Sequence, residues 1–278
     1  MEIDIATQLA TLGHPQRLAV FRMLMRRIPD RVPAGELGAA LGLKPSTLSS
    51  YLSALQQAGL VTQTRSGTSL LYTIDMTCVQ QMVGGLLNDC CRGRPEVCAP
   101  FTAAPPQGVH PMTDRIYNVL FICVGNSARS IFAETLLRDL ARDRFAVFSA
   151  GTRPFSELNP FALQVLRDKG HDVSALRAKH VDEFSGPGAP QMDFVFTVCN
   201  QAANEDCPAW SGQPISGHWG MPDPVQVTGT DAEKSLAFQQ AYGALKQRIQ
   251  AFAALPVDSL DRIALQSAMD EIGRMTDA

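Results

Sequence analysis

Apolar residues in the first part of the chain recur at helical spacing. Residues 3–28 predict two consecutive helices with a break at Gly13-His14-Pro15. Two further helices are expected at about 33–41 and about 45–58, the latter ending at Gly59. The first region of the chain is therefore expected to be mainly helical.

The pattern then changes to an alternation of apolar and polar residues, which is typical of β-strands. Residues 60–74 predict two strands around a turn at Ser66-Gly67, and a last helix is expected at about 75–89. Two helices joined by a short turn and followed by a two-stranded hairpin form the outline of a winged helix-turn-helix.

A proline-rich stretch separates this region from the rest of the chain. Residues 99–113 contain four prolines and no apolar periodicity, which predicts an extended linker. Beyond it, short apolar runs alternate with helical patterns, and such alternation predicts a parallel sheet covered by helices. The expected strands are Tyr117–Val124, Phe145–Ala150 and Asp193–Val198, and the expected helices lie at about 129–142, 160–169 and 231–254.

We therefore predict a multidomain protein in which a mainly α winged helix-turn-helix is followed by an α/β parallel-sheet domain. The expected segments are 1–98 for the first domain, 99–113 for the linker, 114–256 for the second domain and 257–278 for a C-terminal helix. Apolar residues of that last segment repeat at helical spacing, so the helix is expected to pack on the second domain or on a second subunit.

Composition narrows the classes of protein that the chain can be. Its 278 residues are 45% hydrophobic and 18% charged, a globular composition that excludes a fibrous repeat or a wholly disordered chain. The longest apolar stretches fall well short of the roughly 18 residues of a membrane span, and no leader-like segment opens the chain. We expect a cytoplasmic protein with no membrane association.

Charge and cysteine content add two further expectations. Residues 1–100 contain nine Lys/Arg and seven Asp/Glu, whereas residues 101–278 contain 15 and 20. This asymmetry suggests two modules with different partners. The seven cysteines are an odd number, which argues against a framework of structural disulfides and favours thiol chemistry or metal binding.

The second helix of a helix-turn-helix pair lies in the major groove of DNA, with the side chains of its first turn at the base edges. Here that turn is rich in short hydroxyls, which can bond bases and phosphates, although Ser and Thr at a helix start also serve as caps. The candidate DNA-binding residues are Ser46, Thr47, Ser49, Ser50 and Tyr51 on the helix and Arg65 near the tip of the hairpin.

Three segments of the first region resemble the ArsR/SmtB family of metal-responsive repressors. They are Leu12-Gly-His-Pro-Gln-Arg-Leu18, Leu37-Gly-Ala-Ala-Leu-Gly-Leu43 and Ser53-Ala-Leu-Gln-Gln-Ala-Gly-Leu-Val61. The resemblance implies a homodimer that releases operator DNA when metal binds. The chain departs from common members at Ser50 and Tyr51, where a His pair is frequent, so the operator sequence does not follow from the resemblance.

Three cysteines, Cys90, Cys91 and Cys98, follow within nine residues. Thiolates favour soft or borderline ions, and arsenite prefers three sulfurs arranged as a pyramid. Zinc would need a fourth ligand, and no histidine lies nearby in the sequence. Similar clusters occur in arsenite-sensing members of the ArsR/SmtB family, so the resemblance implies an arsenite site here. A chance cluster of inert cysteines is the alternative.

In the second region, the segment Cys123-Val-Gly-Asn-Ser-Ala-Arg129 follows a predicted strand and opens a predicted helix. Consecutive backbone N–H groups at a helix N-terminus form a cradle for a tetrahedral oxyanion, and the same field favours a thiolate. Cys123 is expected to attack the central atom while Arg129 holds two of its oxygens. The candidate substrate-binding residues are Val124, Gly125, Asn126, Ser127, Ala128 and Ser130.

Residues 118–255 resemble the low-molecular-weight phosphatase fold, which tyrosine phosphatases and one class of arsenate reductases share. Cys199 and Cys207 resemble the relay cysteines of the reductases, and residues 218–224 resemble their loop with the catalytic aspartate, here Asp223. Phosphatases of this fold usually have an aromatic residue after the Asp-Pro pair, where this chain has a valine.

These resemblances imply an arsenite-responsive repressor fused to a thiol-dependent arsenate reductase. Cys199 would attack Cys123, Cys207 would exchange with Cys199, and an external dithiol protein, thioredoxin or glutaredoxin, would reduce the resulting disulfide. Asp223 would donate a proton or tune the nucleophile. Ala128 stands where many thioredoxin-coupled relatives carry a further cysteine, so the reductant stays open. Arsenite would be the inducer, and no tightly bound cofactor is expected.

Two alternatives remain at this point. One is a tyrosine phosphatase with a DNA-binding arm, and the other is a purely regulatory protein whose phosphatase-like domain only binds an oxyanion. Glu134 and Ser149 resemble the cation-site residues of some relatives, but Lys179 could supply the charge instead. A potassium site is therefore left open as well.

Overall fold

The computed structural model describes residues 4–91, 115–186, 188–205, 210 and 213–275 of the chain. The chain divides into two compact units, Met1–Thr113 and Asp114–Ala278. The expected linker at 99–113 and two of the candidate cysteines, Cys98 and Cys207, lie outside the described residues. Within the described residues, no helix has both the length and the apolar character that crossing a membrane requires.

The first unit consists of short helices packed around a small antiparallel sheet. Its elements are α1 (Ile5–Leu12), α2 (Pro15–Arg26), β1 (Val32–Pro33), α3 (Ala34–Leu41), α4 (Pro45–Gln57), β2 (Val61–Ser66), β3 (Ser69–Ile74), α5 (Met76–Gly85) and a π-helical turn at Leu86–Cys90. The strands are ordered β1-β3-β2. The helix pair α3–α4 and the following hairpin confirm the predicted helix-turn-helix outline, while β1 and the π-helical turn were not predicted.

Local chemistry sets the helix boundaries of this unit. The break between α1 and α2 occurs because His14 caps α2: its Nδ1 accepts the Gln16 N–H at 3.2 Å, and Pro15 takes the first helical position. Gly42 ends α3 in the left-handed conformation with φ +62°, which favours glycine. The core of this unit includes the fully buried side chains of Met23, Leu24, Leu37 and Leu52.

The second unit is a parallel sheet with helices packed on it, as predicted. Its elements are β4 (Tyr117–Cys123), α6 (Arg129–Ala141), β5 (Phe145–Gly151), α7 (Pro160–Asp168), a 3₁₀ turn (Val181–Phe184), β6 (Phe194–Thr197), α8 (Asn200–Asn204), β7 (Ile215–His218), a second 3₁₀ turn (Pro224–Gln226), α9 (Asp231–Ala253) and α10 (Arg262–Gly273). The strand order is β5-β4-β6-β7, and all neighbours are parallel. The carboxyl ends of the strands therefore meet at one edge, where ligands bind in such sheets.

The last helix contributes to the core of the second unit. The side chains of Leu265, Met269 and Ile272 on α10 are buried in it, and the Trp219 indole donates to the Met269 carbonyl oxygen at 3.1 Å. The helix begins at Arg262 rather than near residue 257, because Asp261 caps it by accepting the Ala264 N–H. This helix was expected to pack on the second domain or on a second subunit, and the structure shows it packed on the second domain.

Candidate active site

The candidate nucleophile lies at the end of the central strand β4. Cys123 is the last residue of β4, and Arg129 is the first residue of α6. The segment therefore has the strand–turn–helix context that was expected for it. Of the six candidate substrate-binding residues, Val124 is partly buried and the others are buried.

The segment after β5 holds this turn from outside. Four carbonyl oxygens of the turn accept backbone N–H groups from residues 152–159. The pairs are Thr152 to Cys123 (3.1 Å), Arg153 to Val124 (3.0 Å), Phe155 to Gly125 (2.9 Å) and Asn159 to Ser127 (3.0 Å). Because these carbonyl oxygens are engaged by the outer segment, the turn can present N–H groups to an anion.

Asn126 braces the turn from within. It is fully buried with φ +43°, a left-handed conformation that asparagine tolerates. Its Nδ2 donates to the Oγ atoms of Ser130 and Ser149, both at 2.8 Å, and its Oδ1 accepts the Lys179 N–H at 2.7 Å. Three separate segments thus fix the conformation of this residue.

Two donors approach the sulfur of Cys123. The Asn126 N–H donates to Sγ at 3.2 Å, and Ser130 Oγ lies 3.0 Å from it. Since Ser130 Oγ already accepts from Asn126 Nδ2, its own hydrogen is free to point at Sγ. This arrangement suits a thiolate nucleophile.

Two glycines permit the close approach of the turn to its surroundings. A Cβ on Gly125 would overlap the ring of Phe155, and a Cβ on Gly151 would lie 2.5 Å from the Val124 carbonyl oxygen. A larger residue at Gly151 would displace the backbone of the turn, and one at Gly125 would displace the ring of Phe155.

Arg129 connects the turn to the loop that follows β7. Its Nη2 lies 2.9 Å from Oδ2 of Asp223, and its Nη1 donates to the Met221 carbonyl oxygen at 3.2 Å. The guanidinium is largely buried. The candidate acid and the candidate oxyanion-binding cation are therefore in direct contact.

The second candidate thiol lies against the same turn. Cys199 is buried and caps α8, where its Sγ accepts the Ala202 N–H at 3.4 Å and is also hydrogen-bonded by the Val124 backbone. Burial raises the pKa of Cys199 to about 11; the negative charge of Cys123 adds to this effect and Arg129 opposes it. The two sulfurs are close enough for their charges to interact.

A lysine occupies the position considered for a cation. Lys179 Nζ lies 2.9 Å and 3.2 Å from the two carboxylate oxygens of Glu134, and Ser149 Oγ donates to the same carboxylate. Both members of the ion pair are largely buried. The positive charge beside Glu134 is therefore supplied by the ammonium group of Lys179.

Sequence reasoning missed several residues that shape the site. It gave no role to the Lys179 backbone, which holds Asn126, or to Phe155, which lies against Gly125. It also gave no role to His218, a fully buried imidazole beside the Cys199 segment. The signal that could have pointed to it is its place at the start of the segment 218–224, which resembles the loop with the catalytic aspartate.

In the first unit, the candidate DNA-binding residues occupy the start of α4 and the hairpin. Ser46, Ser49, Ser50 and Arg65 are exposed, and Thr47 is partly exposed. Tyr51 differs, because it packs on the start of α2: its hydroxyl lies 2.5 Å from Gln16 Oε1 and its ring centroid 5.0 Å from that of His14. Tyr51 therefore also has a structural partner.

Two of the three cysteines of the candidate arsenite site, Cys90 and Cys91, are described, and they lie at the end of the π-helical turn. Cys90 is its last residue and is exposed, and Cys91 follows it and is half-buried. Among the described residues, no group of three His, Cys, Asp or Glu side chains is arranged to hold a metal ion. The third expected ligand, Cys98, is outside the described residues.

Comparison with known proteins agrees with the two-unit architecture. Residues 12–64 match the model of a helix-turn-helix domain. An arsenate reductase from Shouchella clausii is 34% identical over 137 residues, which are 49% of this chain and 94% of that protein. An arsenate reductase from Bacillus subtilis is 33% identical over 135 residues, with the same coverage of 49% and 94%.

Among solved structures, a thioredoxin-dependent arsenate reductase from Corynebacterium glutamicum is 21% identical, with a TM-score of 0.37, and the match covers 79% of this chain and 92% of that chain. Residues 118–264, more than half of the present chain, match the family model described as low molecular weight phosphotyrosine protein phosphatase. The chain thus belongs to the low molecular weight phosphotyrosine protein phosphatase family and carries a helix-turn-helix domain ahead of the family region.

Proposed function

We propose that the second unit is a thiol-dependent arsenate reductase and that the whole chain is a bifunctional arsenic-resistance protein. The observation that carries the proposal is the burial of a second thiol, Cys199, against the turn that holds Cys123. A phosphatase needs one nucleophilic sulfur, whereas a two-electron reduction needs a second sulfur that reaches the first. The relatives named arsenate reductase support the same choice.

In the first step, the Cys123 thiolate attacks the arsenic atom of arsenate. A sulfur–arsenic bond forms, and one oxygen leaves as water after it has been protonated. Arsenic stays in its +5 state, so no electrons have yet been transferred. The turn and Arg129 stabilise the charged oxygens during this step, and Asp223, in contact with Arg129 at 2.9 Å, supplies the proton.

In the second step, the Cys199 sulfur attacks the sulfur of Cys123. A disulfide forms between them and the sulfur–arsenic bond breaks, and its electron pair reduces arsenic to the +3 state as arsenite. Cys207 then attacks Cys199, which transfers the disulfide to the Cys199–Cys207 pair and frees Cys123. An external dithiol, thioredoxin or glutaredoxin, completes the cycle by reducing that pair.

For the first unit, we propose an arsenite-responsive repressor. The exposed hydroxyls at the start of α4 support contact with operator DNA, and the adjacent thiols of Cys90 and Cys91 support capture of arsenite together with Cys98. A homodimer would present two such helices to the two halves of an operator. Exposed apolar side chains on α1 and α5, Leu9 and Val83, are available for such a contact.

The enzyme proposal is tested by arsenate-dependent NADPH consumption, coupled in separate assays through thioredoxin and through glutaredoxin with glutathione. Hydrolysis of para-nitrophenyl phosphate is measured in parallel. Turnover of arsenate with little ester hydrolysis is the expected result, and the productive coupling system identifies the reductant. Fast ester hydrolysis without arsenate turnover would instead assign the unit as a phosphatase.

The repressor proposal is tested with DNA that the full chain selects from a pool of random duplexes. Selected duplexes are expected to bind in a mobility-shift assay and to be released by arsenite. Sedimentation of the free protein is expected to give a dimer, and sedimentation of the complex is expected to give two chains per duplex. Failure to select any sequence above the starting pool would contradict the proposal.

A further inference from the structure

A buried histidine lies between the segment that carries Cys199 and the loop that carries Asp223. His218 is the last residue of β7, and its side chain is 1% exposed. Its Nδ1 is 2.7 Å from Thr197 Oγ1, and its Nε2 is 3.2 Å from Asn200 Oδ1. These two partners lie on either side of Cys199 in the chain, one two residues before it and one directly after it.

Both ring nitrogens have a polar partner. In the tautomer with its hydrogen on Nε2, the ring donates to the Asn200 oxygen and Nδ1 accepts from the Thr197 hydroxyl. The imidazole thus joins the end of β6 to the first residue of α8 through one accepted and one donated hydrogen bond.

The backbone around the ring leaves little space for movement. A Cβ on Gly220 would overlap Asn200 Oδ1 and lie 2.5 Å from His218 Nε2. The residue after β7, Trp219, is fully buried, and its ring centroid is 4.0 Å from that of Phe196. The histidine is therefore held on a rigid support.

The same short stretch of chain leads directly to the catalytic loop. Three residues after His218, the Met221 carbonyl oxygen accepts from Arg129 Nη1, and Asp223 pairs with Arg129 Nη2. The support that fixes the loop with the candidate acid therefore also fixes, through the imidazole, the start of the helix that Cys199 caps. Reaction of one sulfur with another depends on how they are aligned.

We propose that His218 is a positioning residue of the relay, which holds the Cys199 sulfur in line with Cys123 by binding Asn200 at the start of α8. It touches neither substrate nor the reacting atoms. The inference rests on the proposed reductase function, because alignment of the two sulfurs matters only if a disulfide forms between them. It predicts that the sulfur–sulfur step depends on His218 while the reactivity of Cys123 does not.

The test compares two substitutions of His218 in the full chain. The amide of H218Q can take the place of Nε2 and still donate to Asn200, whereas the amide of H218N lies at the position of Nδ1, where it can bond Thr197 but does not reach Asn200. The control is H171N. His171 is likewise bonded through both ring nitrogens, to Asp139 (2.6 Å) and Tyr242 (2.7 Å), but it lies in another part of the second unit.

Each variant is also given the C207S substitution, so that the Cys123–Cys199 disulfide accumulates and is quantified by mass spectrometry after arsenate is added. The rate of alkylation of Cys123 by iodoacetamide is measured separately. We expect H218N to slow disulfide formation by about 10- to 100-fold, H218Q to slow it less, and H171N to leave it unchanged. Alkylation of Cys123 is expected to stay within about twofold of the parent in all three.

The proposal is overturned if H218N forms the disulfide at the parent rate, if H218Q is the slower of the two, or if alkylation of Cys123 falls in proportion. The last result would assign His218 to the cradle rather than to Cys199. If H218N does not fold, as judged by thermal unfolding, Asn200→Ala removes the other partner at an exposed position and is expected to show the same slow disulfide formation; a parent-like rate for it would overturn the proposal.

A second oxidant separates this inference from the reductase proposal. Diamide oxidises two neighbouring thiols without arsenate, so it reports the alignment of Cys123 and Cys199 directly. If the parent protein forms no disulfide with arsenate, the reductase function is contradicted. The inference is then decided by diamide: slower oxidation in H218N than in the parent supports it, and equal rates overturn it.

Discussion

The chain contains two groups of thiols in contrasting surroundings. Cys123 and Cys199 are buried, and hydrogen bonds from the backbone reach both sulfurs. Cys90 is exposed and Cys91 is half-buried, and both lie at the end of a π-helical turn. The first group is held by hydrogen bonds within the fold, whereas the described members of the second group lie at the end of a helical turn with one thiol exposed.

This difference fits the two tasks proposed for the groups. A catalytic thiol needs its partners in place before reaction, because reorganisation during the reaction would add to the barrier. A sensor benefits from the opposite arrangement, since a ligand that gathers separate thiols can change the conformation of the chain that carries them. We therefore expect substitutions to affect reaction steps in the second unit and ligand response in the first.

The largest effect is expected for Cys199→Ser. Arsenate reduction should fall to background because no second sulfur can attack Cys123, while arsenate should still protect Cys123 from iodoacetamide. Arsenite release over many turnovers is the measurement, and Cys78→Ser, a half-buried thiol of the first unit bonded to Gln8, is the matched control. Normal turnover by the Cys199 variant would contradict the relay.

Cys91→Ser tests the second group of thiols, the proposed arsenite site of the first unit. The variant should bind its selected DNA with an affinity within about twofold of the parent, because the thiol is not part of the proposed DNA contact, but arsenite should no longer release the DNA. Mobility shift at increasing arsenite concentration measures this response. Release at the parent arsenite concentration would show that the cluster is not the sensor.

Arg129→Lys addresses the pre-organisation of the candidate active site. A lysine cannot reproduce the planar fork that contacts both Asp223 and the Met221 carbonyl oxygen, and we expect kcat/KM for arsenate to fall about 100-fold. Arg138→Lys on the same helix, where the arginine pairs with Asp139, is the control. An equal loss in both variants would point to a general effect on α6.

Lys179→Met tests whether the buried ion pair supports the turn. It leaves the Glu134 carboxylate largely buried without its cation, and we expect the free energy of unfolding to fall by about 3 kcal/mol. Potassium chloride should restore more stability than the same concentration of tetramethylammonium chloride, because the small cation can take the place of the ammonium group. Unfolding in urea measures both effects, with Lys234→Met on α9 as the control. Equal stability of the Lys179 variant and the parent would contradict this role.

The smallest predicted effect concerns the acidity of Cys199. Burial is the main cause that raises the pKa of Cys199 to about 11, and the charge of Cys123 contributes to that rise. Cys123→Ser removes that charge, so the pKa of Cys199 should fall and a larger fraction of the thiol should be ionised at any pH below it. Alkylation of Cys199 at pH 9, followed by peptide mass spectrometry, should be faster in this variant than in the parent. A slower or unchanged rate would contradict the electrostatic coupling of the two sulfurs.

The elements that sequence reasoning predicted well have strong local signals. The break at Gly13-His14-Pro15, the hairpin turn at Ser66-Gly67 and the passage from β4 through Cys123 to α6 all depend on residues adjacent in the chain. Local signals fail at β7, which has four residues and includes Gly217, a position where a Cβ would lie 2.9 Å from the Phe196 ring. Its identity as a strand comes from pairing with β6 and not from its own pattern.

The contacts within the candidate site were also hard to predict from the sequence, because they join segments that are far apart in the chain. Asn126 was predicted as a residue of the oxyanion cradle, but its bond to the Lys179 backbone joins residues far apart in the chain. The pairing of Cys199 with Cys123 came from a family resemblance, and its physical basis is the parallel sheet, which brings the ends of β4 and β6 to one edge. The role proposed for His218 depends on its contacts with two such segments, Thr197 at the end of β6 and Asn200 at the start of α8.

The most direct test of the central claim is a peptide map of the fully reduced chain after one equivalent of arsenate has been added without any external reductant. The account predicts one arsenite formed per chain, measured after denaturation, and a disulfide between Cys199 and Cys207, with Cys123 recovered as a free thiol and with neither Cys90 nor Cys91 in a disulfide. The Cys123→Ser variant should give neither product. Recovery of every thiol in the reduced state, with no arsenite formed, would contradict the account.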